Sequence, residues 1–231
     1  MSNEADTCRK YVLPKLYAAG WNDDQIHEQK YFTDGRIVPL GRRHRRNPGK
    51  KTDYLLSYRP DFPIALVEAK ADYKLPSDGL QQAMAYGEIL DVRFAYSTNG
   101  HGIVEHDYTT GRQTLLEGFP RPEDLWSRLR GSQVPEDENA AKDLTIPFNR
   151  ELRNPDGSVK VPRYFQAVAI NRAVRAVLEG RRRILLTMAT GTGKTFAAAQ
   201  IIWKLWKSGR KRRILYLADR SILVDQPIAR E

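Results

Sequence analysis

Cysteine is almost absent from this 231-residue chain, which contains only Cys8. A single thiol cannot build an internal disulfide framework, and the sequence has no cysteine and histidine cluster at zinc-ligand spacing. Long hydrophobic runs are also missing, since no stretch approaches the roughly 18 apolar residues of a membrane span. The polar, acidic start is unlike a signal peptide. These absences exclude a disulfide-rich secreted fold and a membrane protein, and we expect a cytoplasmic location.

The charge balance is basic. Lysine and arginine number 38 against 28 aspartate and glutamate residues, which gives a net charge of +10 and a pI near 9.7. Such a chain attracts phosphate polyanions, and nucleic acid is the partner that we expect first. Seven basic residues between Arg36 and Lys51 have no acidic residue among them, and a second basic run extends from Lys207 to Arg213. Runs of this kind are most often solvated loops.

A polar, acidic stretch from Gly131 to Asp143 divides the chain. It has almost no large apolar side chains, so burial cannot offset the entropy of ordering it, and its composition predicts a linker. We therefore expect a first domain over residues 1–130, a linker over 131–150 and a second domain over 151–231.

The first domain is predicted to be a small mixed α/β domain. Apolar residues at helical spacing predict a first helix from Asn3 to Ala19, ended by Gly20, and a second helix from Leu80 to Leu90. Strands are predicted at Gln25–Tyr31, Asp53–Tyr58, Ile64–Lys70, Arg93–Tyr96 and Ile103–Tyr108.

Two of these strands flank Pro60 and Asp61, which have turn chemistry and predict a hairpin. Pairing about that turn puts Asp53 opposite Glu68, and the alternation of side chains puts Glu68 and Lys70 on one face. Two carboxylates and an ammonium group suit metal-assisted phosphodiester hydrolysis. The carboxylates would hold a hard cation, and the lysine would orient or help deprotonate the attacking water. An edge-strand salt bridge is the structural alternative.

The second domain is predicted to alternate helices and strands, which indicates a parallel sheet. The predicted elements are a helix over Tyr164–Leu178 ended by Gly180, a strand over Ile184–Met188, a helix over Thr195–Lys207 ended by Gly209, and a strand over Ile214–Ala218.

A glycine-rich loop joins the first of these strands to the following helix. Its residues are Thr190, Gly191, Thr192, Gly193, Lys194 and Thr195. Glycines let backbone N–H groups converge on phosphate oxygens, Lys194 can neutralise the β- and γ-phosphates, and the Thr195 hydroxyl can ligate Mg²⁺. The pattern departs from the usual phosphate-binding loop at Met188, where glycine is expected, and this departure resembles superfamily 2 helicases and translocases.

Two neighbouring segments extend that resemblance. Gln166 resembles the adenine-reading glutamine of the superfamily, with ordinary solvent contact as the alternative. Asp219-Arg220-Ser221 after the last strand resembles the next helicase motif, which touches the DNA backbone. The resemblance implies ATP and Mg²⁺ as cofactors. Hydrolysis would also need an acidic pair and arginine fingers that the sequence does not reach before Glu231, so weak nucleotide binding without turnover is expected.

The carboxylate and lysine cluster resembles a second family. Asp53 followed by Glu68-Ala69-Lys70 matches the pattern of the PD-(D/E)xK nucleases, with Thr52 in place of the leading proline. The resemblance implies that Asp53 and Glu68 are metal ligands and that all three residues are catalytic.

Two further features of this family are present. Gln82 and Tyr86 lie on one helix face and resemble the Q-x-x-x-Y motif of the RecB-type branch, where these residues support the metal site or the DNA strand. Ordinary helix surface is the alternative. Glu4 resembles the helical glutamate of such nucleases, or is a simple N-terminal helix charge.

The combination resembles the R subunit of type I restriction endonucleases over essentially the whole chain. It implies an α/β fold, with a PD-(D/E)xK restriction-endonuclease-like mixed sheet and helices followed by an incomplete RecA-like P-loop αβα domain. It also implies Mg²⁺-dependent cleavage of unmodified double-stranded DNA, ATP-driven translocation in the full-length family, and partnership with methyltransferase (M) and specificity (S) subunits. We expect this chain to be an N-terminal piece whose motor is truncated.

Two other functions fit the same residues. One is a catalytically inactive DNA- and ATP-binding remnant, whose basic segments bind phosphates. The other is a stand-alone PD-(D/E)xK nuclease, which explains residues 1–130 but leaves the glycine-rich half without a role.

Overall fold

The computed structural model describes residues 3–32, 37–40, 43–46, 49–133 and 143–217. These residues divide into two compact units, Met1–Gln133 and Val134–Glu231, which are described separately below. Residues 134–142 of the predicted linker, Ala218 at the end of the last predicted strand, and the segment Asp219-Arg220-Ser221 lie outside the described residues.

The first unit opens with the predicted helix, which is built in three parts. These parts are α1 (Glu4–Thr7), a π-helical segment (Cys8–Val12) and α2 (Leu13–Ala18). Asn3 caps the start, because its Oδ1 accepts a hydrogen bond from the Asp6 N–H at 2.8 Å. The widened turn lies directly before Pro14, which lacks the N–H that would continue the α-helical ladder. The prediction of this helix is confirmed, and the π-helical segment is an addition to it.

Ten strands follow in the described part of the first unit. In chain order they are β1 (Ile26–Glu28), β2 (Tyr31–Phe32), β3 (Ile37–Leu40), β4 (Arg43–Arg46), β5 (Lys50–Lys51), β6 (Tyr54–Arg59), β7 (Phe62–Ala69), β8 (Phe94–Thr98), β9 (Ile103–Asp107) and β10 (Arg112–Leu116).

Six strands form the main sheet, in the order β1-β6-β7-β8-β9-β10. Only β7 and β8 are parallel, and the crossover between them contains helix α3 (Leu80–Leu90). Antiparallel pairing of β6 with β7 puts Tyr54 opposite Val67 and Leu55 opposite Leu66, which is the predicted register. A register shift at Ser57 near the turn does not change the pairing at the other end of the hairpin. The predicted mixed α/β organisation is therefore confirmed.

Three expectations for this unit are wrong. Gln25–Tyr31 does not form one strand, because β1 joins the main sheet whereas β2 pairs with β5. The basic run is not entirely loop, because β3 pairs with β4. Residues 131–133, predicted as linker, are the end of helix α4 (Pro122–Gln133), which was not predicted.

Helix α4 packs on the sheet through an aromatic stack and a buried ionic network. Trp126 stacks on Tyr58 with ring centroids 4.6 Å apart. Arg128 donates hydrogen bonds to both carboxylate oxygens of Glu105, at 2.9 and 2.7 Å, and to Asp107 at 2.8 Å. Burial alone would raise the pKa of Asp107, but hydrogen bonds from Thr109 and Arg128 outweigh it and hold the pKa below its usual value. The buried carboxylates of Glu105 and Asp107 are thus paired with the partly exposed Arg128, as buried charges require.

The described part of the second unit contains the two predicted helices, α5 (Tyr164–Leu178) and α6 (Lys194–Lys207). Phe148, Ile170 and Ala197 form their buried core, so the prediction of linker is wrong for Phe148, which packs inside this unit. Gln200 is fully buried and fixes a loop to α6, since its side-chain amide exchanges two hydrogen bonds with the backbone of Asn149, at 2.8 and 3.1 Å.

The two strands predicted in this unit are not formed by the described residues. Ile184–Met188 and residues 214–217 have no ladder partner there. Their apolar pattern is typical of buried parallel strands, but a strand requires a neighbour, and without one Leu185 is 89% exposed and Leu215 is 81% exposed. No helix among the described residues has the length and apolar character needed to cross a membrane.

Candidate active site and nucleotide loop

Asp53 and Glu68 lie at the adjoining ends of β6 and β7. Asp53 directly precedes β6, and the pairing of Tyr54 with Val67 makes Asp53 and Glu68 the next pair along the hairpin. The Ala69 N–H donates a hydrogen bond to Asp53 Oδ2 at 2.7 Å, which fixes this carboxylate against the end of β7. Burial nevertheless raises the pKa of Asp53. The predicted juxtaposition of the two carboxyl groups is therefore present in the structure.

Glu68 is the more buried of the two, at 2% exposure. Its Oε2 accepts a hydrogen bond from Gln82 Nε2 at 2.8 Å, whereas its Oε1 receives none from the residues that the structure describes. Burial, followed by the neighbouring Asp53, raises the pKa of Glu68 to about 8. A buried carboxylate oxygen without a donor fits a cation ligand, because a cation would replace the missing hydrogen bond and favour the ionised form.

Lys70 reaches the same cluster from the residue after β7. Its backbone N–H donates to the Thr98 carbonyl at 2.8 Å, which extends the parallel pairing with β8. Its Nζ donates to Gln82 Oε1 at 3.1 Å and forms an ion pair with Glu4 Oε1 at 3.4 Å. The two ends of one amide thus hold Glu68 and Lys70, and Glu4 from α1 contacts the lysine.

Tyr86 lies one helical turn beyond Gln82 on α3. Gln82 Nε2 is 3.4 Å from Tyr86 Oη, and both side chains are half-buried. The edge of Phe32 meets the Tyr86 ring with centroids 5.0 Å apart, and Lys50 Nζ lies 5.5 Å from its centroid. This face of α3 is therefore turned toward the carboxylate cluster, and it is not the ordinary helix surface that was the alternative.

Two residues that sequence reasoning missed, Gly79 and Ser97, fix the start of α3 beside Lys70. The Gly79 N–H, at the start of α3, donates to the buried Ser97 hydroxyl at 3.0 Å. A β-carbon on Gly79 would lie 3.1 Å from Lys70 Cε, so the helix start packs directly on the lysine side chain. A glycine before a helix carries no sequence signal of such a contact.

The protein ligands available to a metal are few. Across the described ranges, no group of three or more histidine, cysteine, aspartate or glutamate residues gathers in a way that could hold an ion. Asp53 and Glu68 would therefore supply two carboxylates, with water and phosphate oxygens completing the coordination. Mg²⁺ is commonly bound in this way, through one or two carboxylates.

The glycine-rich loop lies at the start of α6, as predicted. Gly191 and Gly193 have φ angles of 77° and 84°, which favour glycine, and Gly193 directly precedes the first helical residue. The Thr192 hydroxyl donates to the Ala189 carbonyl at 2.6 Å. Lys194 Nζ lies 3.5 Å from the Met188 carbonyl oxygen and 3.4 Å from that of Ala189. The lysine side chain thus folds back over its own loop. Of the other predicted residues, Thr190 is exposed on the loop, and Thr195 is half-buried in the first turn of α6.

Gln166 contacts this loop directly. It is 6% exposed, and its Nε2 donates to the Thr192 carbonyl at 2.8 Å while its Oε1 accepts from the Arg163 N–H at 2.9 Å. The expected alternative of simple solvent contact is wrong. Each end of a glutamine amide can take part in two hydrogen bonds, so Gln166 could contact a nucleotide base while it keeps both of these.

Comparison with known proteins identifies relatives of both units. Residues 160–230 match a family described as the type III restriction enzyme, res subunit. The chain is 41% identical over 233 residues to the type I restriction enzyme EcoAI endonuclease subunit of Escherichia coli, which covers 96% of this chain and 28% of that protein. It is 34% identical over 149 residues to the EcoKI endonuclease subunit of Escherichia coli strain K12, covering 59% of this chain and 12% of that protein.

One solved structure is also similar. It is a fragment assigned to an HsdR subunit of a type I restriction enzyme from Vibrio vulnificus YJ016, at 50% sequence identity and a TM-score of 0.77. The match covers 90% of this chain and 38% of that chain. The chain therefore spans less than two fifths of the length of each of these relatives.

Proposed function

We propose that this chain, a homologue of the endonuclease subunits of type I restriction enzymes over most of its length, carries a Mg²⁺-dependent DNA-cleaving centre at Asp53, Glu68 and Lys70. The predicted resemblance to this family is confirmed by these relatives. One observation supports the proposed centre above all. The Gln82 amide holds Glu68 and Lys70 together while Glu68 Oε1, buried, receives no hydrogen bond within the described residues.

Each side chain would have a distinct task in hydrolysis of a phosphodiester. Asp53 and Glu68 would hold Mg²⁺, which when bound supplies Lewis-acid stabilisation of the charge on the phosphate. Lys70, oriented by Gln82, would position the attacking water and stabilise developing negative charge. Tyr86 would limit the rotation of Gln82 from the next turn of α3. The expected product carries a 5′-phosphate end.

The second unit would bind ATP at its glycine-rich loop, residues 190–195. Backbone N–H groups of this loop and the start of α6 suit phosphate oxygens. Lys194 would exchange its carbonyl contacts for the β- and γ-phosphates, Thr195 would ligate Mg²⁺, and Gln166 would contact the adenine. ATP-driven translocation on double-stranded DNA, and assembly with M and S subunits, are proposed only by analogy with the relatives, of which this chain spans less than two fifths.

The competing function is binding of DNA and ATP without cleavage. It is favoured by the fact that only two carboxylates of the described residues converge where a metal would bind. The two functions differ in one measurable property, which is metal-dependent strand breakage.

The test is nicking of supercoiled plasmid DNA by the 231-residue chain with and without Mg²⁺. The informative variant is Lys70→Ala, and Lys74→Ala removes the same charge from an exposed position four residues away. We expect Lys70→Ala to abolish nicking and retain DNA binding, and Lys74→Ala to retain both. Binding without any metal-dependent nicking by the wild-type chain, or nicking that survives Lys70→Ala, would overturn the proposal.

A further inference from the structure

Helices α5 and α6 lie side by side and run in the same direction. Gln166, in the first turn of α5, donates to the carbonyl of Thr192, just before α6. Further along the two helices, Ile170 and Ala197 share one buried core. Because the helices begin together and have 15 and 14 residues, they also end together.

Each helix ends in an ordered turn. A glycine with a positive φ angle follows each of them. After α5, the Arg181 N–H donates to the Ala176 carbonyl at 2.9 Å. After α6, the Lys211 N–H donates to the Leu205 carbonyl at 3.2 Å. These hydrogen bonds hold the backbone of both turns against the helix ends, so the cations that follow start from fixed positions at one end of the helix pair.

The exposed cations at these turns form one surface, which we call the basic end of the second unit. It consists of residues 181–183, Lys207 and residues 211–213. Arg210 is not included, because it pairs with Asp143. Within the described part of the chain, no ion pair involves the side chains of the basic end. Residues 178–217 contain a single acidic residue, Glu179, so the charge is left for a partner to neutralise.

The helix dipole accounts for only part of this charge. A helix C-terminus attracts cations, but the effect is confined to about the last turn. Lys207 lies in that turn, whereas residues 182–183 and 212–213 lie beyond the glycines that follow the helices. Cations held together without acidic neighbours repel one another, so a bound polyanion would lower their free energy.

An exposed aromatic ring lies at the same end. Trp206, in the last turn of α6, is 55% exposed and directly precedes Lys207. A ring beside cations fits a nucleic acid, because the ring can lie against a sugar while the cations contact the phosphates. An acidic peptide would satisfy the cations alone.

We infer that the basic end binds the sugar-phosphate backbone of double-stranded DNA. Packed helices lie about 8–10 Å apart, and phosphates follow one another about every 3.4 Å along the axis on one strand. The two turns can therefore reach phosphates of the same strand that are a few nucleotides apart. Contacts of this kind contribute affinity and do not select a base sequence.

This inference goes beyond the proposed function, because it uses none of the residues assigned to cleavage or to ATP. The nucleotide loop lies at the start of α6, and at 1.5 Å per residue the helix separates it from the basic end by about 21 Å. DNA bound at the basic end therefore leaves the nucleotide loop open.

The experiment is a salt titration of the binding of a short DNA duplex by the full 231-residue chain in EDTA, read by fluorescence anisotropy. Arg182→Gln/Arg183→Gln removes two charges from one turn, and Arg212→Gln/Arg213→Gln removes two from the other. The control, Arg59→Gln/Arg112→Gln, removes two exposed charges from the first unit. We expect the slope of log K against log salt concentration to fall by up to about 2 in each test variant, and to keep its wild-type value in the control.

Lysine in place of arginine at the same four positions of the basic end keeps the charge and should keep the slope, which separates lost phosphate contacts from misfolding. An unchanged slope in either glutamine variant, or an equal fall in the control, would overturn the proposal. Binding of polyglutamate that depends on these arginines, with duplex binding unaffected, would assign the basic end to an acidic protein partner instead. Because binding is measured without Mg²⁺, failure of the proposed cleavage shows separately, in the nicking assay.

Discussion

A β-carbon at position 79 would lie 3.1 Å from Cε and 3.3 Å from Cγ of Lys70. The backbone at Gly79 has φ −91° and ψ −5°, which any residue adopts, so backbone freedom is not the reason for glycine here. The reason is close packing, because the same β-carbon would also lie 2.8 Å from the Ser97 hydroxyl oxygen. The absence of a side chain at this position lets α3 begin directly against the lysine of the candidate active site.

Gly79→Ala should therefore displace Lys70 while leaving the carboxylates in place. The contacts of 3.1 and 3.3 Å require Lys70 to move by only a few tenths of an ångström. We therefore expect nicking of plasmid DNA to slow by less than the roughly 100-fold effect of a displacement of about 1 Å in a catalytic group. DNA affinity should not change. Gly118→Ala is the matched control, since a β-carbon there meets nothing within 4 Å. Equal nicking rates in the two variants would contradict a positioning role for Gly79.

Gln82 provides a second test, because its amide binds two members of the cluster. Gln82→Ala removes the donor to Glu68 and the acceptor for Lys70 together. Loss of such a supporting hydrogen bond typically lowers metal affinity or activity by about 10- to 100-fold. We expect the Mg²⁺ concentration for half-maximal nicking to rise accordingly. Gln81→Ala, at the exposed neighbouring position on α3, should behave as wild type.

The hairpin that carries Asp53 and Glu68 could be predicted from the sequence because its determinants are local. Turn residues fix the centre of the hairpin, alternation fixes the faces, and the register of Tyr54 with Val67 follows from both. The helices α3, α5 and α6 could be predicted because their apolar spacing is local, and Gly180 and Gly209 mark the ends of α5 and α6.

Features that depend on distant packing could not be predicted. The hydrogen bonds of Gln82 to Glu68 and Lys70 depend on the angle at which α3 crosses β7. The contact of Gly79 with Lys70 depends on the distance between α3 and β7. The contact of the Phe32 ring with Tyr86 could not be predicted for the same reason, because the two residues are far apart in sequence. The prediction of a strand over Ile184–Met188 failed for a different reason. The apolar pattern of this segment is typical of a buried strand, but the described residues offer it no neighbouring strand to pair with.

The buried Glu68 predicts how stability depends on pH in the absence of metal. Burial and Asp53 raise its pKa from 4.5 to about 8. Between these values the folded chain keeps a proton that the unfolded chain has lost, so the free energy of unfolding falls as pH rises. The contribution of protonated Glu68 to the free energy of unfolding is complete below about pH 4.5 and is lost as pH rises through about 8.

Thermal unfolding in EDTA measures this effect. We expect Tm of the wild-type chain to fall relative to that of Glu68→Gln as pH is raised from 5 to 9, because the glutamine amide cannot ionise. Glu88→Gln, at an exposed position on α3, should show no such divergence from wild type. A difference between wild type and Glu68→Gln that stays constant across this range would show that Glu68 titrates normally.

Activation by Mg²⁺ should require less metal as pH rises, because it depends on loss of the same proton from Glu68. Mg²⁺ binds the ionised carboxylate, so below pH 8 each bound ion must displace a proton from Glu68. We expect the Mg²⁺ concentration for half-maximal nicking to fall up to about tenfold for each pH unit, and to level off near pH 8. Titrations of nicking against Mg²⁺ at several pH values measure it, and a requirement independent of pH would contradict the assigned ligand.

The nucleotide loop offers a test in which backbone strain and side-chain contact can be separated. Gly193 has φ 84°, and a β-carbon there would lie 2.4 Å from Gln166 Nε2. Gly180 has φ 80° but meets nothing within 4 Å. Alanine at either position incurs the left-handed backbone cost of about 1 to 2 kcal/mol. Gly193→Ala should lose more stability than Gly180→Ala, because its β-carbon also meets the buried Gln166. Only Gly193→Ala displaces Gln166 from the loop.

Nucleotide binding should therefore distinguish the two variants, although Tm falls in both. We expect titration with a fluorescent ATP analogue to show loss of binding in Gly193→Ala and wild-type affinity in Gly180→Ala. If both variants bind equally well, the close packing of Gln166 on the loop is structural and does not shape the phosphate site. If both lose binding, backbone strain elsewhere in the unit is transmitted to the loop, and the contact between Gly193 and Gln166 has no special part in it.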